Sequence, residues 1–397
     1  MPFYRSVGQV PHKRHVQFRK PDGGLYREEL MGTEGFSSDS ALLYHTHAPT
    51  DVVAVDTWDI PGQDATPNHP LKPRLVLTHK VDEGGDAVTG RRLLASNQDV
   101  RVSYVAADRP SPLYRNAMGD EMYFVESGTA RVETVFGVLD VGPRDFVIMP
   151  TSTTHRWVPT GDEPVRLLIA ESTGGIRPPK RYLSARGQFL EHSPYCERDL
   201  RAPSEPFVVE GDDAEVTNVD VYVRHRAGGT RYTYAHHPFD VVGWDGHLYP
   251  YAFSMDDYEP IIGRIHQPPP TFQTFEAPGF VICSFVPHKV EYHPDAVIVP
   301  YNHANVDSDE LMFYVEAAGG ARAGHGIETG AITWHPAGFI HGPHTNELEK
   351  SVDAYKAGRI EIKNLRAVMI DTFRPLDIGE ATLASEDSDY LASWRNA

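Results

Sequence analysis

His303, Glu310 and His341 form a His-x6-Glu-x30-His set in the last quarter of this 397-residue chain. Two neutral imidazoles and one carboxylate can hold a divalent metal on one face of an octahedron. The adjacent open positions then accept a chelating substrate and dioxygen. An earlier stretch repeats part of the pattern: Asp120–Gly128 reads DEMYFVESG beside DELMFYVEAAG at Asp309–Gly319, and each copy ends in Pro-x4-His, Pro150 with His155 and Pro336 with His341. The Glu-to-His separations are 34 and 31 residues, the mark of a duplicated unit. Before Glu121 the stretch matching the first histidine reads Arg115-Asn116-Ala117-Met118. The first copy has therefore lost a ligand, and one metal per chain is expected, in the second copy.

The elements that must position these residues read as strands. Prolines and glycines punctuate short runs rich in Val, Ile, Tyr, Phe and Thr, among them Arg131–Phe136, Asp145–Met149, Val165–Ala170, Val219–Val223, Phe280–Phe285, Ala296–Val299 and Ala331–Trp334. Helical periodicity is expected mainly near the C-terminus, around Ile378–Leu391, with Leu383, Tyr390 and Leu391 sharing a face. A carboxylate at a strand end, followed after hairpins by a Pro-turn-His, is the layout of a small double-stranded β-barrel with a metal at its mouth. The expected fold is all-β, with two such barrels, irregular loops and a short C-terminal helix. Residues 1–245 would form the N-terminal domain with the degenerate barrel, and 246–397 the metal-bearing barrel.

Composition narrows the partners. The charge of −18, from 37 Lys+Arg against 55 Asp+Glu, repels polyanions, so neither nucleic acid nor a membrane surface is an expected partner. Two cysteines, Cys196 and Cys283, give no disulfide framework and no thiolate metal site; Cys283, among Val281, Ile282 and Phe285, reads as a buried structural thiol. Met1–Arg19 lacks the apolar core of a signal peptide, and a soluble cytoplasmic protein is expected. Of the other histidines among the 20, His45 and His47 point to one side of a strand without a carboxylate at usable spacing. His236 and His237 are expected on opposite faces.

PYNHANVDSDELMF, WHPAGFIHGPH at 334–344 and LEK at 348–350 resemble the iron-binding region of homogentisate 1,2-dioxygenases. HPFDVVGWDGHLYPYAF at 237–253 and RIHQPPPTF at 264–272 resemble two further segments of that family. The opening MPFYRSVGQVPHKRH and REELMGTEGF at 27–36 are similar to its compact bacterial branch. The resemblance implies a cupin fold, Fe(II) held by His303, Glu310 and His341, His266 as acid/base, and His335 hydrogen-bonded to substrate or oxygen. It also implies a homo-oligomer, trimer or hexamer, acting on a small aromatic acid and O2, with homogentisate ring cleavage in tyrosine and phenylalanine catabolism. The family's substrate-contacting tyrosine has no counterpart in Gly319–Gly330; Tyr314 is the nearest. The substrate carboxylate needs a cationic or hydrogen-bonding partner, for which Arg264, Lys289 and Arg322 are candidates. A gentisate or related hydroquinone-type acid, a metal-dependent cupin isomerase and a non-catalytic ligand-binding bicupin are the competing readings.

Overall fold

The computed structural model describes residues 3–81, 84–316, 327–343, 345–362 and 365–394. Eight strands follow one another through short turns: Val100–Ala107 (β1), Leu113–Asn116 (β2), Glu121–Ser127 (β3), Ala130–Thr134 (β4), Gly137–Val141 (β5), Asp145–Met149 (β6), His155–Pro159 (β7) and Val165–Ser172 (β8). They lie in the orders β1-β8-β3-β6 and β2-β7-β4-β5 within two sheets, the arrangement of an eight-stranded jelly roll. Phe280–Phe285 (β9), Glu310–Glu316 (β10), Ala331–His335 (β11) and Arg366–Thr372 (β12) repeat the first of these orders as β9-β12-β10-β11. The fold is all-β and cupin-like, as expected. The duplication holds at the level of register: Glu121 pairs with Met149 and Glu310 with His335.

Strand alternation sorts the side chains into two cores. From β3, Met122 and Phe124 face outward to meet Leu311 and Phe313 of β10, in one apolar cluster that joins the two barrels; Phe124 and Phe313 rings lie edge to face at 6.2 Å. Tyr123 and Val125, the alternate residues, fill the interior of the first barrel with Val132, Val147 and Trp157. By the same alternation Glu121 and Glu310 point into their barrels.

Strand pairings cross the expected division at 245/246. Arg74–Leu77 adds to β11, Tyr251–Ser254 adds to β6, and Asp377–Gly379 pairs with Arg92–Ser96. Each part thus completes the sheet of the other.

Two expectations are corrected. Ala296–Val299 is not a strand: it lies between Pro294 and Pro300, which cannot donate to a ladder, and Val299 has a φ of 50°. The C-terminal helix is Glu380–Ser385, after which a single 3-10 turn covers Tyr390–Trp394. Between them the Asp387 N–H bonds to the Leu75 carbonyl, so the chain pairs with a strand edge instead of continuing the helix. Leu383 and Leu391 are consequently exposed while Tyr390 is buried. A second helix, Thr345–Lys356, follows the metal-site turn and was not expected. Among the described residues no helix is long and apolar enough to cross a membrane.

Candidate metal centre

Glu310 opens β10, and the residue before it fixes the rim around it. Asp309 Oδ1 accepts the Ala337 N–H at 2.8 Å; its Oδ2 accepts the Leu376 N–H at 3.0 Å and Trp334 Nε1–H at 2.9 Å. Asp120 does the same in the first barrel, accepting the N–H groups of Thr151 and Ile176, both at 2.9 Å. The acidic dipeptide in each copy therefore divides its labour. Its aspartate brackets the strand to the Pro-turn, and its glutamate faces the barrel interior.

His303 and His341 exchange both backbone N–H···O=C bonds at 2.8 Å. This isolated antiparallel pair sets their rings side by side, centroids 4.2 Å apart. His341 Nδ1–H donates to the Phe339 carbonyl at 3.0 Å, which leaves the Nε2 lone pair facing Glu310 at 3.4 Å. His303 Nε2 lies 3.7 Å from Glu310 Oε2, and its Nδ1 is buried without a hydrogen-bond partner. One donor atom from each of the three falls within 4.8 Å of the others. Two imidazole nitrogens and one carboxylate oxygen, gathered this closely, fit the donor set of a facial-triad dication. Burial alone would raise the Glu310 carboxyl; the imidazoles of His303, His335 and His341 gathered around it hold it well below the usual carboxylate range. It is the ionised ligand a metal needs.

His335 sits opposite Glu310 in the ladder, its ring stacked on His341 at 3.9 Å. Its Nδ1 is 2.8 Å from Glu310 Oε1 and its Nε2 is 3.1 Å from Tyr390 Oη. Both ring nitrogens are engaged inside the protein, an arrangement that orients the carboxylate. Tyr390 entered the sequence reading only as part of a helix face. On the other side of Glu310 lies Asp371 of β12, whose carboxyl is pushed up to about 8 by burial and by the Glu310 charge. Cys283 is buried, and burial raises its thiol well above the usual range.

His266 lies on an extended segment held by the following prolines. Its Nδ1 is 3.0 Å from Glu291 Oε1 and its Nε2 is 3.1 Å from Tyr301 Oη. Tyr301 packs edge to face on His303 at 5.7 Å, so His266 reaches the metal ligands through one phenol. Neither Glu291 nor Tyr301 was singled out from sequence; Glu291 is 25 residues from its partner, and only folding joins them. Arg264 and Lys289 are exposed. Tyr314 is half-buried, with its hydroxyl 3.4 Å from Thr333 Oγ1. Arg322 lies outside the described residues, as does most of Gly319–Gly330.

The first barrel shows what replaces a metal. The residue opposite His155 is Tyr114, seven before Glu121 just as His303 is seven before Glu310. The match to Arg115-Asn116-Ala117-Met118, which sets Asn116 against His303, is therefore corrected by two positions, since strand pairing and not the loop fixes the register. Tyr114 Oη donates to Glu121 Oε1 at 3.0 Å, and Tyr123 Oη lies 2.6 Å from Glu121 Oε2 and 3.1 Å from His155 Nε2. Arg91, from the turn before Arg92–Ser96, drives its guanidinium into this space. Its Nη1 bonds Glu121 at 2.7 Å and Glu171 at 3.0 Å, and its Nη2 bonds Tyr123 at 2.7 Å. An internal cation thus fills the space between Glu121 and Glu171.

The profile of the homogentisate 1,2-dioxygenase N-terminal region matches residues 83–255. A Saccharolobus solfataricus protein classed by name among the dioxygenases is 35% identical over 396 residues, covering 99% of both chains. The chain belongs to the homogentisate 1,2-dioxygenase family. Homogentisate 1,2-dioxygenases of Bradyrhizobium diazoefficiens and Rhodopseudomonas palustris are 25% and 26% identical, aligned over 99% of this chain and 81% of their own length. Among solved structures, a cupin 2 conserved barrel domain protein from Leptotrichia buccalis covers 79% of the chain at TM-score 0.34 and 8% identity. The family's N-terminal profile spans the Arg91-filled barrel, while the ligand set lies beyond it, in β10 and the segments flanking it.

Proposed function

We propose that this dioxygenase is Fe(II)-dependent and opens the ring of homogentisate, 2,5-dihydroxyphenylacetate. Substrate and O2 together contain the atoms of the product, 4-maleylacetoacetate, and the step belongs to tyrosine and phenylalanine breakdown. The observation that carries the reading is the His303–Glu310–His341 donor set in a member of this family. Fe(II) bound there would supply a net charge of about +1 that favours a phenolate and electrons to activate dioxygen beside it.

The chain's own groups do the rest. Glu291 accepts the Nδ1–H of His266 and so fixes the tautomer that presents an Nε2 lone pair. That nitrogen now accepts the Tyr301 hydroxyl and is the base for a substrate phenol arriving at the same mouth. Burial would raise the Glu291 carboxyl, but the bond to His266 holds it below the usual range, so it stays ionised to stabilise the imidazolium. His335, tied to Tyr390, orients Glu310. Arg264, Lys289 and Tyr314 are candidate groups for the acetate side chain among the described residues. The absence of a tyrosine from Gly319–Gly330 favours a second reading, a gentisate or related hydroquinone-type acid.

Anaerobic reconstitution with Fe(II), then addition of air and each acid in turn, tests the assignment by ultraviolet absorbance of the ring-opened product. Turnover of homogentisate at least tenfold above gentisate is expected; the reverse order would reassign the substrate. His266→Ala should keep iron and substrate binding and lose most of kcat.

A further inference from the structure

The interior of the first barrel holds more cation than its carboxylates balance. Beside Arg91 lie Arg224 and Arg101. Arg224 Nε is 2.8 Å from Glu171 Oε2, and its Nη2 donates to Gln63 Oε1 at 2.9 Å. Arg101 Nη2 donates to the same oxygen at 2.7 Å and to the Gln63 carbonyl at 3.3 Å. Its Nε is buried without a hydrogen-bond partner. Arg101 has no carboxylate within ion-pair distance among the described residues. Three guanidiniums, Arg91, Arg101 and Arg224, thus face two carboxylates, Glu121 and Glu171. Partial burial, together with the neighbouring Arg224 charge, pulls Arg101 below the usual arginine range, and Glu171 offsets this only in part.

Gln63 sits where a ligand's carboxylate would. Its side-chain oxygen accepts from both guanidiniums, as one carboxylate oxygen does, but it brings no charge. It is carried on the turn Pro61-Gly62, with Gly62 at a φ of 63°, outside the barrel strands. The space left beside it, about 10 Å³, is lined by Trp58, Ile60, Val88 and Tyr114 among others. That volume is roughly one water, so a larger ligand must displace the carboxamide.

We propose that Arg101 and Arg224 form a binding site for a small organic monocarboxylate in the N-terminal barrel, capped by Gln63 in the free protein, with Trp58 and Tyr114 beside the ligand. The site balances the excess charge, uses no metal, and stands independently of the reading of the second barrel.

The test uses the full chain freed of metal with a chelator, in chloride-free buffer at pH 7.5, followed by thermal shift and calorimetric titration. The probes are acetate, phenylacetate, chloride and the neutral isostere phenylacetamide. Saturable binding of phenylacetate, one per chain, is expected, with a rise in Tm that phenylacetamide does not produce. Arg101→Met should weaken phenylacetate at least tenfold. Gln63→Glu, which supplies an internal carboxylate, should raise the ligand-free Tm and abolish the phenylacetate response. Unchanged affinity in Arg101→Met, a full response in Gln63→Glu, or equal binding of phenylacetamide would overturn the proposal. Chloride binding as tightly as either acid would overturn the carboxylate assignment in favour of a halide site.

Discussion

Replacing Arg91 tests whether a guanidinium has taken the metal's place in the first barrel. In Arg91→Met the methionine fills part of the volume, but Glu121 and Glu171 remain buried without their shared cation. Removing one partner of such a buried set costs about 3–5 kcal/mol. The pKa of Glu121 leads to a similar figure. Burial would raise this carboxyl, yet Arg91 brings it down to about 2 from an ordinary 4.5. A depressed carboxylate contributes stability that is present above pH 4.5 and lost as pH falls toward 2. At about 1.4 kcal/mol per unit the 2.5 units correspond to roughly 3 kcal/mol. For a chain of this length that is a fall in Tm of about 4–6 °C at pH 7.5. At pH 5 the deficit should shrink, because in the variant the buried glutamates, no longer held down, take up protons. Differential scanning calorimetry at the two pH values reads both effects. A second prediction uses the same variant: Co(II) should bind at a second site built from Glu121, His155 and Glu171 and restore part of the lost Tm. A variant as stable as the parent at pH 7.5, or equally destabilised at both pH values, would refute the role given to Arg91.

Further predictions concern the groups around the two barrels. His45, buried between Asp240 at 2.6 Å and Glu29 at 2.9 Å, is penalised by burial but raised by these two carboxylates to about 9. The stability it contributes is complete below pH 6.5 and lost as pH rises through 9, about 3 kcal/mol in all; His45→Gln should flatten the Tm profile over that window, and an unchanged slope would disprove it. Glu291→Gln removes the anion that stabilises the His266 imidazolium, so the acidic limb of kcat/KM should move down by about one pH unit while iron content stays constant. Glu291→Asp should recover part of the shift, which a purely structural role would not produce. Tyr390→Phe frees one nitrogen of His335, and the affinity for Fe(II), measured against a chelator, should fall about tenfold with the fold intact by circular dichroism.

The gathering of His303, Glu310 and His341 was legible in the sequence because its signal is residue type at fixed spacing, and the strand alternation of DEMYFVES and DELMFYVE sets both glutamates facing into their barrels. What escaped the sequence depends on contacts between distant segments. Arg91 is 30 residues before Glu121 and enters the barrel from a turn, where an arginine ordinarily reads as surface. Tyr390 meets His335 across 55 residues. Tyr114 was missed by two positions because a loop can slip in an alignment while a strand pair cannot. The exchange of strands between the two halves left no trace in periodicity, since Arg74–Leu77 reads as a strand whichever barrel it joins. Nothing in the spacing joined His236 to His47, on which it stacks at 4.0 Å; that contact is made by the fold.

One iron, held by His303, Glu310 and His341, is proposed to carry the reaction of this chain. Iron content after anaerobic loading and desalting, measured together with oxygen consumed per homogentisate on readmission of air, tests it most directly. The parent protein should retain one Fe(II) per chain and consume one O2 per homogentisate. The His303→Ala/His341→Ala double variant, folded by circular dichroism, should retain none and consume none. Iron kept by that variant, or a fully loaded parent that consumes no oxygen with either homogentisate or gentisate, would contradict the account.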